Sequence, residues 1–318
     1  MLKYFTFRFL SIIPMLFVVT IIIFIGLQLT PGDPLTYLIP PELLASANFD
    51  LASYKKAMGL DAPLYVQFFR WFSGMLQGKL GYSLVDGTSI ATMLGHRLPA
   101  TLELAAAALI ISSVLGIVLG LISSVRQNSA ADYGNTVIGI IGISIPEFFL
   151  GIIAIQIFSI KLGWLPVGGR LDYGESGFLS LLKHVAMPAL VLGFSLTAAL
   201  MRYTRGTMLD VLGKDYVKTA RSKGLPEWKV IVKHAFRNAL MPVILLLCFR
   251  LPMLIGGTVI IESVFGWPGM GGMLLNAVSA KDYPVVMIAT MLTAFMVLLA
   301  SFLVDLLTAL LDPRVRFD

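Results

Sequence analysis

Charge is scarce in this chain. Asp, Glu, Lys and Arg make up 13% of its 318 residues, about half the share usual in a soluble domain, while 57% are hydrophobic. Cysteine is scarcer still. The single Cys248 lies inside an apolar run, which excludes a disulfide within the chain and any cysteine-based metal site. His96, His184 and His234 stand in separate segments without paired ligand spacing, so structural or surface roles are expected of them rather than metal binding. No Gly-x-x-x-x-Gly-Lys-Ser/Thr stretch is present to cradle nucleotide phosphates; Gly74-Met-Leu-Gln-Gly78-Lys79 lacks both the spacing and the hydroxyl. There is no low-complexity segment and no repeat of fixed period. The net charge of +6 comes without basic clusters interleaved with aromatics, so nucleic acid is not an expected partner.

What is present is a set of long apolar runs. Six reach or approach the roughly 20 residues that cross a hydrocarbon core: Phe9–Leu29, Ala100–Ser124, Asn135–Ile160, Val185–Leu200, Leu240–Ile261 and Pro284–Leu311. The fourth is short, and Arg250-Leu-Pro252 interrupts the fifth. Lipid offers no partner to an unpaired backbone group, so all six are expected to be helical. The first run, about 21 residues long and followed by Thr-Pro-Gly-Asp rather than a small-residue cleavage site, reads as an uncleaved span. The fold class is therefore an all-α integral membrane protein with six transmembrane helices.

The basic residues set the orientation. With the first tail inside, Lys3, Arg8, Arg126, Arg202, Arg205, Lys214, Lys218, Arg221, Lys223, Lys229, Lys233, Arg237, Arg314 and Arg316 all fall on the cytoplasmic side. Short outer pieces hold four bases against these fourteen, and long loops are translocated largely regardless of charge. Both termini are expected in the cytoplasm. The organisation then reads as a tail and first helix (1–29), an external loop region (30–94), a transmembrane domain (95–311) and a cytoplasmic tail (312–318). Within the external loop, Asp61-Ala-Pro63 signals the start of a helix. That helix carries Tyr65, Phe68, Phe69, Trp71, Phe72, Met75 and Leu76 and only one charge, Arg70. Such a face suits packing on the spans or lying at the membrane interface, with docking of an external partner the alternative.

The most organised polar stretch lies between the fourth and fifth spans, within 204–239. Asp215-Tyr-Val-Lys-Thr-Ala-Arg-Ser-Lys223 has the composition of a short surface helix. Gly224 permits the turn that ends it, Pro226 cannot continue it, and Glu227 to Ala239 forms a second helix leading into the next span. A helix–turn–helix elbow protruding from the membrane is a lever for a partner's motion.

Pro31-Gly-Asp-Pro34, Gly59-Leu-Asp, Arg97-Leu-Pro-Ala-Thr-Leu-Glu-Leu104, Ser144-Ile-Pro-Glu-Phe-Phe149, Leu165-Pro-Val-Gly-Gly169, Met187-Pro-Ala-Leu190, Phe265-Gly-Trp-Pro-Gly-Met270, Asp282-Tyr-Pro284 and Asp312-Pro-Arg-Val-Arg316 follow one another along the chain. In this order they resemble the permeases of peptide/nickel-type ABC importers. The elbow resembles their coupling loop, with Thr219-Ala220, Gly224 and Pro242 at the pattern positions; Lys218 stands where the general importer pattern has Glu. The resemblance implies type I importer architecture and a coupling site at Asp215, Lys218, Thr219, Ala220, Arg221, Lys223, Gly224, Leu225 and Glu227. It also implies a sister permease, two cytoplasmic ATPases that bind ATP and magnesium, and an external binding protein delivering a di- or oligopeptide, or in some members nickel, glutathione or heme. No cofactor and no catalysis is expected in this chain itself, and an inner-membrane location is.

Four charges fall within or near spans: Glu103, Glu147, Arg250 and Asp305. An ionised group at a helix centre costs about 2.5–3.5 kcal/mol on insertion scales, so it normally faces a cavity or a partner. Glu103 and Asp305 lie near span ends, where water or headgroups reach them. Arg250 and Glu147 lie deeper. They read either as an interhelical ion pair or as a translocation path in which Arg250 meets a substrate carboxylate. Pro146, Pro188 and Pro252 are expected to kink their spans. An intramembrane protease would need paired catalytic groups at depth, and a channel a filter sequence or ring of charges; neither pattern is found.

Overall fold

The computed structural model describes residues 2–29, 61–172, 174 and 177–311, and every regular element among them is helical. In chain order these are α1 (Leu2–Gln28), α2 (Leu64–Leu76), α3 (Ile90–Val125), α4 (Ala130–Ser144), α5 (Glu147–Ala154), α6 (Phe178–Leu212), α7 (Asp215–Ser222), α8 (Glu227–Lys229), α9 (Arg237–Gly257), α10 (Val259–Val264), α11 (Met270–Ser279) and α12 (Tyr283–Leu311). Two π-helical turns extend them: Ile155–Lys161 continues α5, and Val230–Phe236 joins α8 to α9. The motifs at 31–34 and 312–316, and the residues 59 and 60, lie outside the described residues. The boundary read at 94/95 falls within α3.

Among the described residues, five helices are long and apolar enough to cross a membrane, and six spans are reached by counting a bent pair as one. The pair is α4 with α5 and its π turn, bent by 102°. This corrects the continuous third span read over 135–160. Pro146 has no N–H to continue the ladder and forces its predecessor away from helical geometry; Ile145 accordingly sits at φ −89°, ψ 126°. Pro188 and Pro252, by contrast, lie inside α6 and α9, which continue past them. The fourth span is not short. At 35 residues and 1.5 Å rise, α6 is about 52 Å long, well beyond the roughly 30 Å hydrocarbon core.

Helix α6 is the centre of the bundle: 72% of its apolar window is buried, against 17–33% for the other four spans. It crosses α3 at small residues. A Cβ on Gly120 would meet Thr204 and the Met201 carbonyl oxygen, and one on Gly193 would press on Ile111 and the Ala108 carbonyl. In lipid there is little hydrophobic drive between helices, so such close backbone approach supplies the packing. Around this crossing, α5, α9 and α10 close the main core through Ala154, Leu254, Ile261 and Phe265. A second core joins α3, α11 and α12. Helix α2 starts at Pro63, as expected, and lays Phe68 and Phe72 against Phe17 of α1, with Met287 of α12 beneath. Its aromatic face is thus mainly packing, although Leu64, Tyr65, Phe69 and Leu76 remain exposed.

Candidate functional site

The elbow is built from α7, a turn at Gly224 and α8. Helix α7 keeps two side chains inward, Val217 and Ala220, three apart on one face. They pack with Val230 against Val211 and Leu212 at the end of α6, so the elbow stands on the last turn of the most enclosed span. On the aqueous side, burying each valine is worth about 1.5–3 kcal/mol. Gly224 sits at φ +73°, a left-handed conformation that costs any residue with a Cβ about 1–2 kcal/mol. Its N–H donates to the Arg221 carbonyl oxygen at 2.9 Å. Pro226 then caps the next helix, its carbonyl accepting from the N–H groups of Lys229 and Val230.

Arg221 closes the elbow. Its Nη2 meets Glu227 Oε1 at 2.7 Å, and its Nε lies 3.2 Å from both oxygens of that carboxylate. That hydrogen bond raises the already high pKa of Arg221. Both partners are partly exposed, so the pair adds at most about 1 kcal/mol; its contribution is to hold the angle between α7 and α8. Asp215 pairs with Lys218 at 3.0 Å along the same helix, and Thr219 Oγ1 donates to the Asp215 carbonyl. The outward surface comprises Asp215, Lys218, Thr219, Arg221, Lys223, Gly224 and Glu227, together with three exposed apolar side chains: Tyr216, Leu225 and Trp228. A cleft of about 350 Å³ lies beside Trp228, lined by Leu121, Val125, Arg126 and Ile231. Of the nine expected coupling residues, Ala220 alone is turned inward. The second elbow helix runs through a π turn into α9 rather than as one α-helix over 227–239.

Glu147 is the first residue of α5, at the mouth of the 102° bend. Arg250 lies midway along α9, half-buried. Among the described residues no ion pair joins them, nor either to another group. The other two charges do pair: Glu103 takes a two-pronged contact from Arg170 at 2.8 and 2.5 Å, and Asp305 takes one from Arg8 at 2.6 Å. Neither depends on water or headgroups alone.

Two acidic residues escaped notice in the sequence. Glu262, 1% exposed, accepts from the Thr101 and Thr258 hydroxyls and from the N–H groups of Gly271 and Gly272. The signal was an acid a few residues ahead of a glycine-rich stretch, Gly269-Met-Gly-Gly272, whose amides are open to approach. Asp132, 3% exposed, holds Arg205. It stands three residues after the capping Ser129, a spacing that marks a helix start.

An elbow on a bundle of apolar helices is matched over most of the chain. Residues 116–317 fit the model of the binding-protein-dependent transport system inner membrane component, and residues 1–105 fit its N-terminal companion. The chain belongs to that family. This permease is 43% identical to a candidate peptide permease of Brucella ovis over 99% of both chains. It is 39% identical to the oligopeptide transport system permease protein AppB of Bacillus subtilis over 98% of both, and 36% identical to the glutathione transport system permease protein GsiC of Escherichia coli over the full length of both. The permease is thus a multi-pass membrane component of a transport system that depends on a binding protein, and both the elbow and the bent span lie within the matched region.

Proposed function

We propose that this permease pairs with a sister permease to form the pathway of an ATP-driven importer for di- or oligopeptides handed over by an external binding protein. Energy comes from two separate cytoplasmic ATPase chains that carry ATP and magnesium. The observation that carries the reading is the elbow: a partly apolar, mostly basic outer face mounted on Val217 and Val230 at the cytoplasmic end of the most buried span. A partner that closes on this face moves α6 directly. Both termini lie in the cytoplasm in this reading, which follows from the distribution of bases. Glu147 at the bend and Arg250 in α9 contribute to the path, Arg250 as the cation for a peptide's terminal or side-chain carboxylate. Peptide cargo is supported by the peptide and oligopeptide permeases among the relatives.

Affinity capture of the tagged chain from its native membrane should bring down an ATPase and a second permease. Vesicles holding that complex with its binding protein should take up labelled di- and tripeptides only with ATP. Glutathione, the cargo named for one relative, is the second reading; unlabelled glutathione, nickel or heme displacing peptide uptake would reassign the substrate. Uptake without ATP, or a complex without an ATPase, overturns the importer reading.

A further inference from the structure

The contact between Arg205 and Asp132 ties the helix that carries the elbow to the first limb of the bent span. Arg205 Nε donates to Asp132 Oδ1 at 2.8 Å and Nη2 to Oδ2 at 2.7 Å, a fork-on-fork contact. The Asn128 N–H adds a third bond to the carboxylate at 3.0 Å. Asn135, one turn further along α4, donates to Ser123 Oγ at 3.0 Å and to the Leu119 carbonyl. The first turns of α4 are therefore fixed by directional bonds to both α3 and α6. Arg205 itself lies one turn before Met208, and two before Val211 and Leu212, the residues on which the elbow rests. Further along, α4 comes close to α6 at two glycines, Gly139 beside Met201 and Ala198, and Gly142 beside Phe194. Apolar contacts of this kind slide in lipid, where leaving one apolar neighbour for another changes little; a two-pronged ion pair does not.

We propose that Arg205 and Asp132 form a coupling joint: they make the elbow, the cytoplasmic end of α6 and α4 move as one body, so that displacement at the elbow reaches the bend at Pro146 and Glu147. The joint rests on the importer reading for its purpose, though not for its mechanics. Both residues are positioning residues, and neither touches cargo.

The test uses the assembled transporter in vesicles, with ATP hydrolysis and peptide uptake read on the same preparation. Asp132→Asn and Arg205→Gln should leave hydrolysis largely intact and lower peptide transported per ATP about tenfold, the size of a typical coupling effect. Arg205→Lys keeps the charge without the fork and should fall between. The exchange Asp132→Arg with Arg205→Asp should recover much of the ratio. A merely structural role lowers both readings together, in step with the amount of complex; that result, or an unchanged ratio, overturns the joint. A second arm needs no activity: spin labels at Tyr133 on α4 and Lys223 on the elbow should give one narrow distance in all nucleotide states, broadening in Arg205→Gln. A wild-type distance that shifts with nucleotide overturns the proposal. If the wild-type complex shows no ATP-dependent uptake, the importer reading fails, and the distance arm alone decides whether the joint is rigid.

Discussion

The hydroxyl of Thr101 on α3 donates to Glu262 on α10 at 2.7 Å, across 161 positions of sequence. The same oxygen accepts from the Met270 N–H at 2.8 Å, and one residue earlier the Ala100 carbonyl accepts from the Trp267 indole at 2.7 Å. The long third helix, about three turns in from its start, is thereby bonded to both ends of the segment from Glu262 to Met270.

Removing one member of this node leaves buried donors without partners, at about 1–3 kcal/mol each. Thr101→Val should lower the thermal stability of the purified permease in detergent by about that amount. Glu262→Gln should do as much or more, since its amide places an N–H donor among donors that already need an acceptor. Melting curves unchanged in both variants would show that the node does not support the fold.

At Gly224 the constraint is backbone conformation, since a Cβ there meets nothing within 4 Å. Gly224→Asn, which tolerates a left-handed backbone, should transport close to wild type. Gly224→Val should reopen the elbow and reduce ATP-dependent uptake with the protein still inserted, the strain being about 1–2 kcal/mol. Equal uptake by the two variants would break the link between this turn and transport.

Orientation is checked by labelling in a Cys248→Ser background. Leu76→Cys, on the exposed side of α2, should react with an impermeant reagent on intact cells. Lys223→Cys should react only after the membrane is opened. The reverse pattern would invert the topology.

Because Arg250 has no acidic partner among the described residues, its removal tests a cargo role cleanly. Arg250→Met should weaken uptake of acidic peptides about tenfold relative to basic ones, the effect of losing roughly 1.4 kcal/mol of charge-assisted bonding. Adding Glu147→Gln should not restore it. Restoration by the double variant would mean that the two charges serve each other during the cycle.

The spans and the elbow were legible because each is written locally: hydropathy over about 20 residues, and a glycine followed by a proline at the turn. The bend was not. Apolar residues run on both sides of Pro146, so nothing in composition separates a mild kink from a 102° bend. Arg205 read only as one more inner base, because its partner lies 73 positions away; Glu103 read as solvated for the same reason, with Arg170 67 positions downstream. Pairings over such separations depend on which helices cross, and that is decided by glycines and small side chains whose spacing alone does not name the partner helix. The two π turns have no local signature either.

The bond between Arg8 and Asp305 has a consequence for how the protein is made. Its partners are 297 residues apart, which at about 5–20 residues per second means a wait of roughly 15–60 s on the ribosome. For that interval α1 must stay in the bilayer without its principal neighbour, α12. Its mean hydropathy of 2.8 is the highest of the five spans, enough to hold it there alone. Helix α6, at 1.7, is the least able to do so and the most enclosed once the bundle is complete; its retention in the bilayer leans on segments already inserted and on those still to come.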